Sequence, residues 1–474
     1  MDLVTPRRLD VWIGVLLFVL GFALCAMVLL GRRDGMALVH DEVAYLFQAR
    51  TFAEGHLYMP SPPLPEFFEA AHLIVVPRMM AKYFPGHALL LAPFVRFPWV
   101  LPLLLLGAST TLIYVAARVS GFGQLASMAG AVAFAGSGMN LQASASYFSQ
   151  TASTFSAAAG LAFAALLRQT GRARWGAGFG AAAGLALLIR PFDGLALGAA
   201  GVAMPRAWNR RTLAPAAGTF IVCGFLLLGF CKATTGSWTT TPWSVYARQY
   251  TPWDGLGIGP IDARPPERAF PPQLRLMEAA FRESREHYTW SVVPLMALAR
   301  LKALLDYLPG FGALALLLLG LWSGRMAVPL AYAALLFLLQ MTFHFENTWY
   351  LQELWPPLAI GVAAGADRLI RLRQSAQPRM QRLVWTGVIE VAFLLLAAGC
   401  IRDVAKVQPV ALYFLRNMRA ADRALQPARD ARGLVFVRSA RRRCWSSIWA
   451  RATPSCASSF PIGRRSCTTP GPKS

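Results

Sequence analysis

The chain has 474 residues, of which 56% are hydrophobic and 15% are charged, and its mean hydropathy is +0.44. A soluble domain carries about 25% charged residues. This composition therefore excludes a disordered chain, a coiled coil and an ordinary soluble enzyme, and it predicts an all-α polytopic membrane protein. The net charge of +23 is compatible with nucleic-acid binding, but many basic residues lie in short connections between apolar segments, as in membrane proteins. No nucleic-acid partner is expected.

The apolar segments predict about eleven transmembrane helices, within a range of about ten to thirteen. The first segment is too long for the apolar region of a signal peptide, and no small-residue cleavage site follows it, so we expect it to be retained. The eleven segments are 11–30, 98–117, 124–139, 150–167, 175–189, 191–204, 214–230, 307–322, 326–343, 350–366 and 383–401.

The distribution of charge predicts the orientation of these spans. With the amino terminus in the cytoplasm, the cytoplasmic connections contain fifteen arginines and three acids, whereas nineteen of the 23 acids fall on the opposite side. Basic loops stay in the cytoplasm. The sequence thus predicts a multi-pass protein of the bacterial inner (plasma) membrane, with function in its acidic periplasmic loops.

Two periplasmic loops are long, 31–87 and 232–306, and both mix aromatic, proline and charged residues. Within them, 42–54 and 267–300 have the length and polarity of helices that lie along the membrane interface. We expect residues 1–401, including both loops, to form one transmembrane catalytic domain.

The chain changes character after the last predicted span. Residues 402–437 are expected to begin a periplasmic region that is then cut off, and 432–437 has the pattern of a starting strand. Residues 438–474 contain seven Arg, one Lys, eight Ser and no acid, without helical or strand periodicity. A basic lipid-binding or nucleic-acid-binding tail is one interpretation; the favoured one is a disordered end or a frameshifted translation.

The clearest candidate for chemistry is His40-Asp41-Glu42, about ten residues after the first span. A carboxylate at the membrane surface can deprotonate a hydroxyl acceptor, and the adjacent pair could instead bind a divalent cation such as Mg²⁺ or Mn²⁺. The structural alternative is a helix start, because Asp is a good N-cap. Asp41 and Glu42 are the candidate catalytic residues, and His40 is a candidate substrate contact.

A second motif precedes the next span. Arg78 and Lys82 lie where a lipid phosphate would lie: Arg binds phosphate bidentately and Lys acts as a point charge. Pro85-Gly86 predicts a turn, and Tyr83 and His87 are candidate substrate contacts. Anchoring at the membrane interface is the alternative interpretation.

Arg190 is a third candidate, because it ends a predicted span on the periplasmic side, against the positive-inside trend, and is followed by Pro191 and Asp193. An arginine in this position requires a partner. Phosphate is one candidate, and an ion pair with Asp193 or another loop acid is the other.

A late polar loop follows the ninth predicted span. Within 344–353, His344, Glu346 and Tyr350 could line a sugar pocket, or the loop could be a connector with interfacial aromatic residues. No nucleotide-binding, serine-hydrolase or zinc-protease motif occurs in the chain.

Together these motifs resemble the GT-C superfamily of membrane glycosyltransferases, in particular the bacterial relatives of protein O-mannosyltransferases and of the lipid A aminoarabinose transferase. The resemblance covers roughly residues 10–400 and rests on motif order: the acidic pair, Lys82-Tyr83 before Pro85-Gly86, Arg190-Pro191 and the late aromatic loop. The truncated tail departs from the family pattern.

The resemblance implies a polyprenyl-phosphate-linked sugar as donor and a lipid, glycan or protein hydroxyl as acceptor. It implies that Asp41 activates the acceptor, that Glu42 assists or holds a cation, and that Lys82 with Arg78 or Arg190 stabilises the departing phosphate.

Three other functions stay open at this point. A transporter or flippase of a lipid-linked sugar requires charges inside the spans, where Glu390 is the clearest case. An O-antigen ligase or polymerase usually carries its key residues in late loops. An inactive paralogue with a partner-binding role is the third.

Overall fold

The computed structural model describes residues 8–29, 37, 39–262, 264–269, 275–345, 348–377 and 379–430. These residues form seventeen α-helices and three short β-strands. The helices are α1 (Arg8–Leu29), α2 (His40–Ala53), α3 (Pro85–Leu91), α4 (Val100–Val119), α5 (Gln124–Ala135), α6 (Gly138–Ser144), α7 (Ser149–Thr170), α8 (Ala173–Ile189), α9 (Pro191–Ala200), α10 (Arg210–Thr235), α11 (Pro242–Tyr250), α12 (Arg275–Glu286), α13 (Val293–Asp306), α14 (Gly310–Gly320), α15 (Ala327–Gln340), α16 (Trp355–Ser375) and α17 (Arg379–Asp430). The strands are β1 (Met59–Pro60), β2 (Leu73–Ile74) and β3 (Arg78–Ala81).

The helices form a multi-pass membrane protein, as the composition predicts. In the described part of the chain, five helices are long and apolar enough to cross a bilayer: α1, α4, α7, α10 and Arg379–Val407 of α17. The 22 residues of α1 extend about 33 Å at 1.5 Å per residue, which matches the thickness of the hydrocarbon core. Helices α13 and α14 give a sixth candidate span, bent by 117°.

The predicted count of eleven spans is not confirmed, although every predicted segment overlaps a helix. Several of these helices are short: α5, α9 and α14 have 12, 10 and 11 residues. Such helices extend only about 15–18 Å, roughly half of the hydrocarbon thickness. Hydropathy alone identified the apolar segments but not the breaks within them.

Small residues allow helices α8 and α10 to pack closely. A Cβ on Gly176 would lie 2.3 Å from the carbonyl oxygen of Thr212, and one on Gly180 would lie 2.0 Å from that of Ala216. The four-residue spacing places both glycines on one face of α8, so α8 and α10 pack backbone to backbone.

A loop layer covers one end of the bundle and consists of the described residues of 39–87, 236–292 and 341–354. Its sheet has the antiparallel order β1-β3-β2, with Met59 opposite Met79 and Leu73 opposite Ala81. The helix predicted at 42–54 is confirmed as α2. The single helix predicted over 267–300 is wrong: α12 and α13 are separated at 287–292.

At the carboxyl end, the described residues from 402 to 430 continue α17 as helix. The strand start predicted at 432–437 and the basic tail at 438–474 lie outside the described residues.

The glycine contact predicts a stability difference between two matched substitutions. Gly180→Ala should lower the melting temperature in detergent, because the added methyl group meets a backbone carbonyl that cannot move independently of α10. Gly218→Ala, in α10, should leave the melting temperature unchanged or raise it, because nothing lies within 4 Å of that position and Ala favours helix by about 1 kcal/mol over Gly. Equal melting temperatures for the two variants would contradict the packing.

Candidate active site

Side chains along β3 alternate between a face that packs on α11 and a face that packs on α2, and these two faces form the two parts of the site. Successive residues of a strand point to opposite faces. Met80 packs with Tyr246 of α11, whereas Met79 and Ala81 pack with Tyr45 of α2. The pairing continues one residue further, because the Lys82 amide donates to the His72 carbonyl at 3.0 Å. Lys82 consequently faces α11, and Tyr83 faces α2.

Asp41 lies in the first turn of α2 and is bound from two sides. The Tyr83 hydroxyl donates to its Oδ1 at 2.5 Å, and His72 Nε2 lies 3.5 Å from its Oδ2. Burial by itself would raise the pKa of Asp41, but His72, the Tyr83 hydroxyl and the Lys82 charge together lower this pKa below its ordinary range. Asp41 is therefore an ionised carboxylate at neutral pH.

His72 adopts an unusual backbone conformation beside Asp41. Its φ of 67° lies in the left-handed region, which is uncommon for residues other than glycine, and its amide donates to the Tyr246 hydroxyl at 3.2 Å. Burial and the Lys82 charge lower the pKa of His72. Its Nδ1 is buried and accepts no hydrogen bond from a described residue. We assign the single proton of this neutral ring to Nε2, which then donates towards Asp41.

Lys82 is the most unusual charge of the site. It is only 5% exposed, and its Nζ lies over the rings of Trp243 at 3.9 Å and Tyr246 at 4.9 Å. Among the described residues, none forms a hydrogen bond or an ion pair with this ammonium group. Burial lowers the pKa of Lys82, against the opposing charges of Asp254 and Asp41. Aromatic faces stabilise a cation but do not neutralise it, so the group is available to bind an anion.

Asp254, in the second long loop, lies near Lys82. His344 Nε2 lies 2.9 Å from its Oδ1, and His344 Nδ1 lies 3.2 Å from the Ser284 hydroxyl. Burial would raise the pKa of Asp254, but His344 and Lys82 lower it. Through these contacts His344 connects the late loop to the second loop, and its predicted contact with substrate stays a prediction.

Arg190 lies at the junction of α8 and α9. Its Nε lies 3.2 Å from Asp193 Oδ2 and 3.3 Å from Glu353 Oε1, and its guanidinium carbon lies 5.0 Å from the centre of the Tyr350 ring. The ion pair expected from the sequence as the alternative to phosphate is thus present, with a second acid added. Tyr350 is half-buried beside Arg190, and its predicted contact with substrate stays a prediction.

Two predicted residues have structural partners away from Lys82. Arg78 Nη1 donates to the Ala233 carbonyl at 2.6 Å, at the end of α10, and its guanidinium lies 4.3 Å from the Tyr58 ring centre. This contact satisfies a helix end. Glu42 is buried, and its Oε1 accepts from the Tyr147 amide at 3.0 Å, so it stabilises the approach to α7.

The remaining predicted residues are also accounted for. His40 begins α2, is half-buried, and has a pKa lowered to about 4 by burial and by His72. His87 is 3% exposed, and its Nε2 lies 2.8 Å from the Tyr147 carbonyl oxygen. Glu346 lies outside the described residues.

The described residues contain no group of three or more His, Cys, Asp or Glu side chains that could hold a metal ion. Asp41 and Glu42 are neighbours in the sequence but bind different partners, and adjacent positions of a helix do not face each other. The arrangement does not support their use as a shared cation site.

Four residues of the cleft were missed by sequence reasoning: His72, Trp243, Tyr246 and Asp254. The two aromatic residues carry a detectable signal, because they lie one and four residues after Pro242, which marks a helix start, and their three-residue spacing places them on one face of α11. His72 and Asp254 have no local signal, since their roles depend on contacts between distant segments.

No family model and no curated protein matches the chain. Among solved structures, the crystal structure of ArnT from Cupriavidus metallidurans bound to undecaprenyl phosphate matches with a TM-score of 0.48 and 16% identity, over 90% of this chain and 81% of that one. The apo structure of the same protein matches with a TM-score of 0.46 and 17% identity, over 88% and 80%.

The loop-layer histidines predict a pH dependence of stability. Burial lowers the pKa of His87 to about 4, from 6.5. Between these values the unfolded chain binds a proton that the folded protein does not, so stability should be complete above pH 6.5 and fall as the pH falls towards 4. From pH 7 to pH 5 the loss from His87 is about 2 kcal/mol, at 1.36 kcal/mol per pKa unit.

His87→Gln should reduce this acid-side loss of melting temperature, because Gln can still donate to the Tyr147 carbonyl but does not titrate. The loss should not disappear, since the pKa values of His40 and His72 are also lowered. His287→Gln, at an exposed histidine, is the control and should follow the wild-type pH curve. If His87→Gln also follows that curve, His87 is not the titrating group.

Proposed function

We propose that the protein is a membrane glycosyltransferase that moves a sugar from a polyprenyl-phosphate-linked donor to a hydroxyl acceptor at the periplasmic face. The observation that carries this proposal is the buried Lys82 ammonium, which forms no ion pair with a described residue and lies close enough to the ionised Asp41 to lower its pKa. A phosphate requires a cation, and a hydroxyl nucleophile requires a base. Lys82 supplies the cation and Asp41 supplies the base. Lys82 has no ion-pair partner among the described residues and Asp41 is already ionised before substrate binds.

The location of the cleft favours a lipid-linked donor. The loop layer lies directly on the ends of long apolar helices, so a substrate with a long isoprenoid chain can keep that chain in the bilayer while its phosphate reaches Lys82. Sugar rings have apolar faces that pack on aromatic side chains, and Trp243, Tyr246 and Tyr350 supply such surfaces. Binding the isoprenoid chain, the phosphate and the sugar ring in this way requires no nucleotide.

The proposed reaction is a direct displacement at the anomeric carbon. The acceptor oxygen forms a bond to this carbon, the bond between the carbon and the phosphate oxygen breaks, and the polyprenyl phosphate leaves with the electron pair. Asp41 takes the hydroxyl proton. Its Oδ2 is the oxygen that we assign to the acceptor, because Tyr83 binds Oδ1 more closely than His72 approaches Oδ2. Lys82 stabilises the charge that develops on the leaving phosphate, typically a large catalytic contribution.

Lys82→Met tests the phosphate role separately from the fold. Met fills the space beside the Trp243 and Tyr246 rings without carrying a charge. Removing a buried charge that has no ion-pair partner removes its desolvation cost, so the fold is not destabilised. We expect a melting temperature equal to or above that of wild type, together with at least tenfold weaker binding of undecaprenyl phosphate, measured by native mass spectrometry on purified protein. Lys302→Met, at an exposed lysine, is the matched control. Unchanged lipid binding in Lys82→Met would refute the phosphate role.

Asp41→Asn tests the base. The amide keeps the shape and can still accept from Tyr83, but it cannot take a proton, so transfer should fall by roughly 10²–10⁴-fold. The measurement follows label from a panel of radiolabelled polyprenyl-phosphate sugars into acceptor. Asp306→Asn, at an exposed acid, should transfer as wild type does. Wild-type turnover by Asp41→Asn would remove Asp41 from the mechanism.

A further inference from the structure

We infer that a groove between α1, α4, α7 and α8, at the end of the bundle opposite the loop layer, binds one anionic phospholipid of the surrounding bilayer. An acyl chain of this lipid lies in the groove, and its phosphate lies beside Arg174. The groove is separate from the cleft around Lys82, and the inference does not depend on the proposed function.

The groove forms because α1 and α8 stand apart on a floor made by two other helices. Helix α1 packs on α4, α4 on α7, and α7 on α8. Small residues such as Gly14, Ala108, Ala159 and Gly178 line the space between them, where larger side chains would fill it. The cavity has a volume of about 1060 Å³, which is at the upper end of the range for pockets that hold small molecules.

The groove occupies one leaflet of the bilayer. Helix α7 begins in the loop layer, where the Tyr45 hydroxyl of α2 donates to Ser149 at 2.8 Å, so its other end and the start of α8 lie at the opposite end of the bundle. Along α4 the groove extends from Val119 to Ala108, which is about 17 Å at 1.5 Å per residue. This length is about half of the 30 Å hydrocarbon core, as expected for the acyl chain of a phospholipid.

The open side of the groove faces lipid. Val11 and Val15 line it and are 52% and 47% exposed, in a helix that is long and apolar enough to cross the bilayer. Its charged lining residues, Asp10 and Arg118, form an ion pair with each other at 3.0 Å. The rest of the lining is mostly apolar, so water would have too few polar partners there. Hydrocarbon is therefore the occupant that fits.

The polar groups for a headgroup lie next to the groove. The Trp175 ring stacks on Phe163, which lines the groove, with 6.0 Å between ring centres. Its Nε1 is buried and donates to no described residue, an arrangement that costs free energy until an acceptor is supplied. The guanidinium carbon of Arg174 lies 4.5 Å from the centre of the same ring, so one phosphate can reach both groups.

The charge of this end selects an anionic lipid. Arg174 is exposed and forms no ion pair with a described residue. Arg168 and Arg172, in the same turn between α7 and α8, are also exposed and likewise have no acidic partner in the described part of the chain. Arginine binds phosphate through charge-assisted hydrogen bonds, and clustered arginines at the membrane surface favour lipids with a net negative charge.

Filling the groove tests the position of the acyl chain. Ala181 lines the groove and is exposed on α8, so Ala181→Phe adds a ring to the groove from its lipid side. The dissociation constant of dioleoyl phosphatidylglycerol is measured by native mass spectrometry on the purified full chain in detergent. We expect binding about tenfold weaker than in wild type, because excluding two methylene groups already accounts for that factor. Ile221→Phe, at an exposed position of α10, is the matched control and should bind as wild type does.

Removing one arginine tests the headgroup. Wild type should bind phosphatidylglycerol about fivefold more tightly than zwitterionic phosphatidylcholine, the factor expected for one arginine beside an anionic lipid. Arg174→Gln should bind the two lipids equally. Arg211→Gln, at an exposed arginine of the same end of the bundle, should keep the wild-type preference.

Three results would overturn the inference: wild-type binding of phosphatidylglycerol by Ala181→Phe, an unchanged lipid preference in Arg174→Gln, or an equal loss of undecaprenyl phosphate and phosphatidylglycerol in Ala181→Phe. The last result would assign the groove to the isoprenoid lipid, whose binding should instead be unchanged in this variant. If Ala181→Phe fails to fold, Val15→Trp fills the groove from α1 and takes its place.

Discussion

The arrangement of the cleft depends on one constraint: Lys82 must stay charged in a buried position without contacting either of the acids that face it. Burying an unpaired ammonium costs free energy, and an ion pair with Asp41 or Asp254 would be the simplest way to lower this cost. The structure prevents this by giving each acid its own partners. Tyr83 and His72 hold Asp41, and His344 holds Asp254. The acids lower the cost of the buried charge at a distance, and the aromatic rings contact it directly.

This constraint explains why the loop layer is built from separate segments. Adjacent positions of a helix do not face each other, and here the cation, the base and the aromatic faces come from β3, α2 and α11. The strand β3 contributes to this arrangement, because side chains alternate along a strand and Lys82 and Tyr83 therefore point to opposite sides. The turn at Pro85-Gly86 then packs the end of the strand segment on the end of α8, next to Arg190.

The sequence predicted the membrane fold and the helix at α2, and it singled out Asp41, Lys82 and Tyr83, which the structure brings close together, because these depend on local pattern. It left Arg190 open between phosphate and ion pair, and the structure contains the ion pair, with Asp193 and Glu353. The number of spans was not predictable from hydropathy, because breaks such as the one before Pro191 do not interrupt an apolar run for long. His72 and Asp254 were missed because their partners come from segments far away in the chain.

The distribution of the acids has a further consequence for the order of events. Asp41 is ionised in the absence of substrate, because Tyr83 and His72 donate to it and Lys82 lies nearby. When a phosphate binds Lys82, its negative charge offsets part of the positive charge of the ammonium. The carboxylate of Asp41 is then stabilised less by Lys82. The pKa of Asp41 should rise as donor binds, which makes the carboxylate a stronger base at the moment when an acceptor proton must be removed. The same lysine would thus keep the base ionised at rest and increase its basicity when donor is bound.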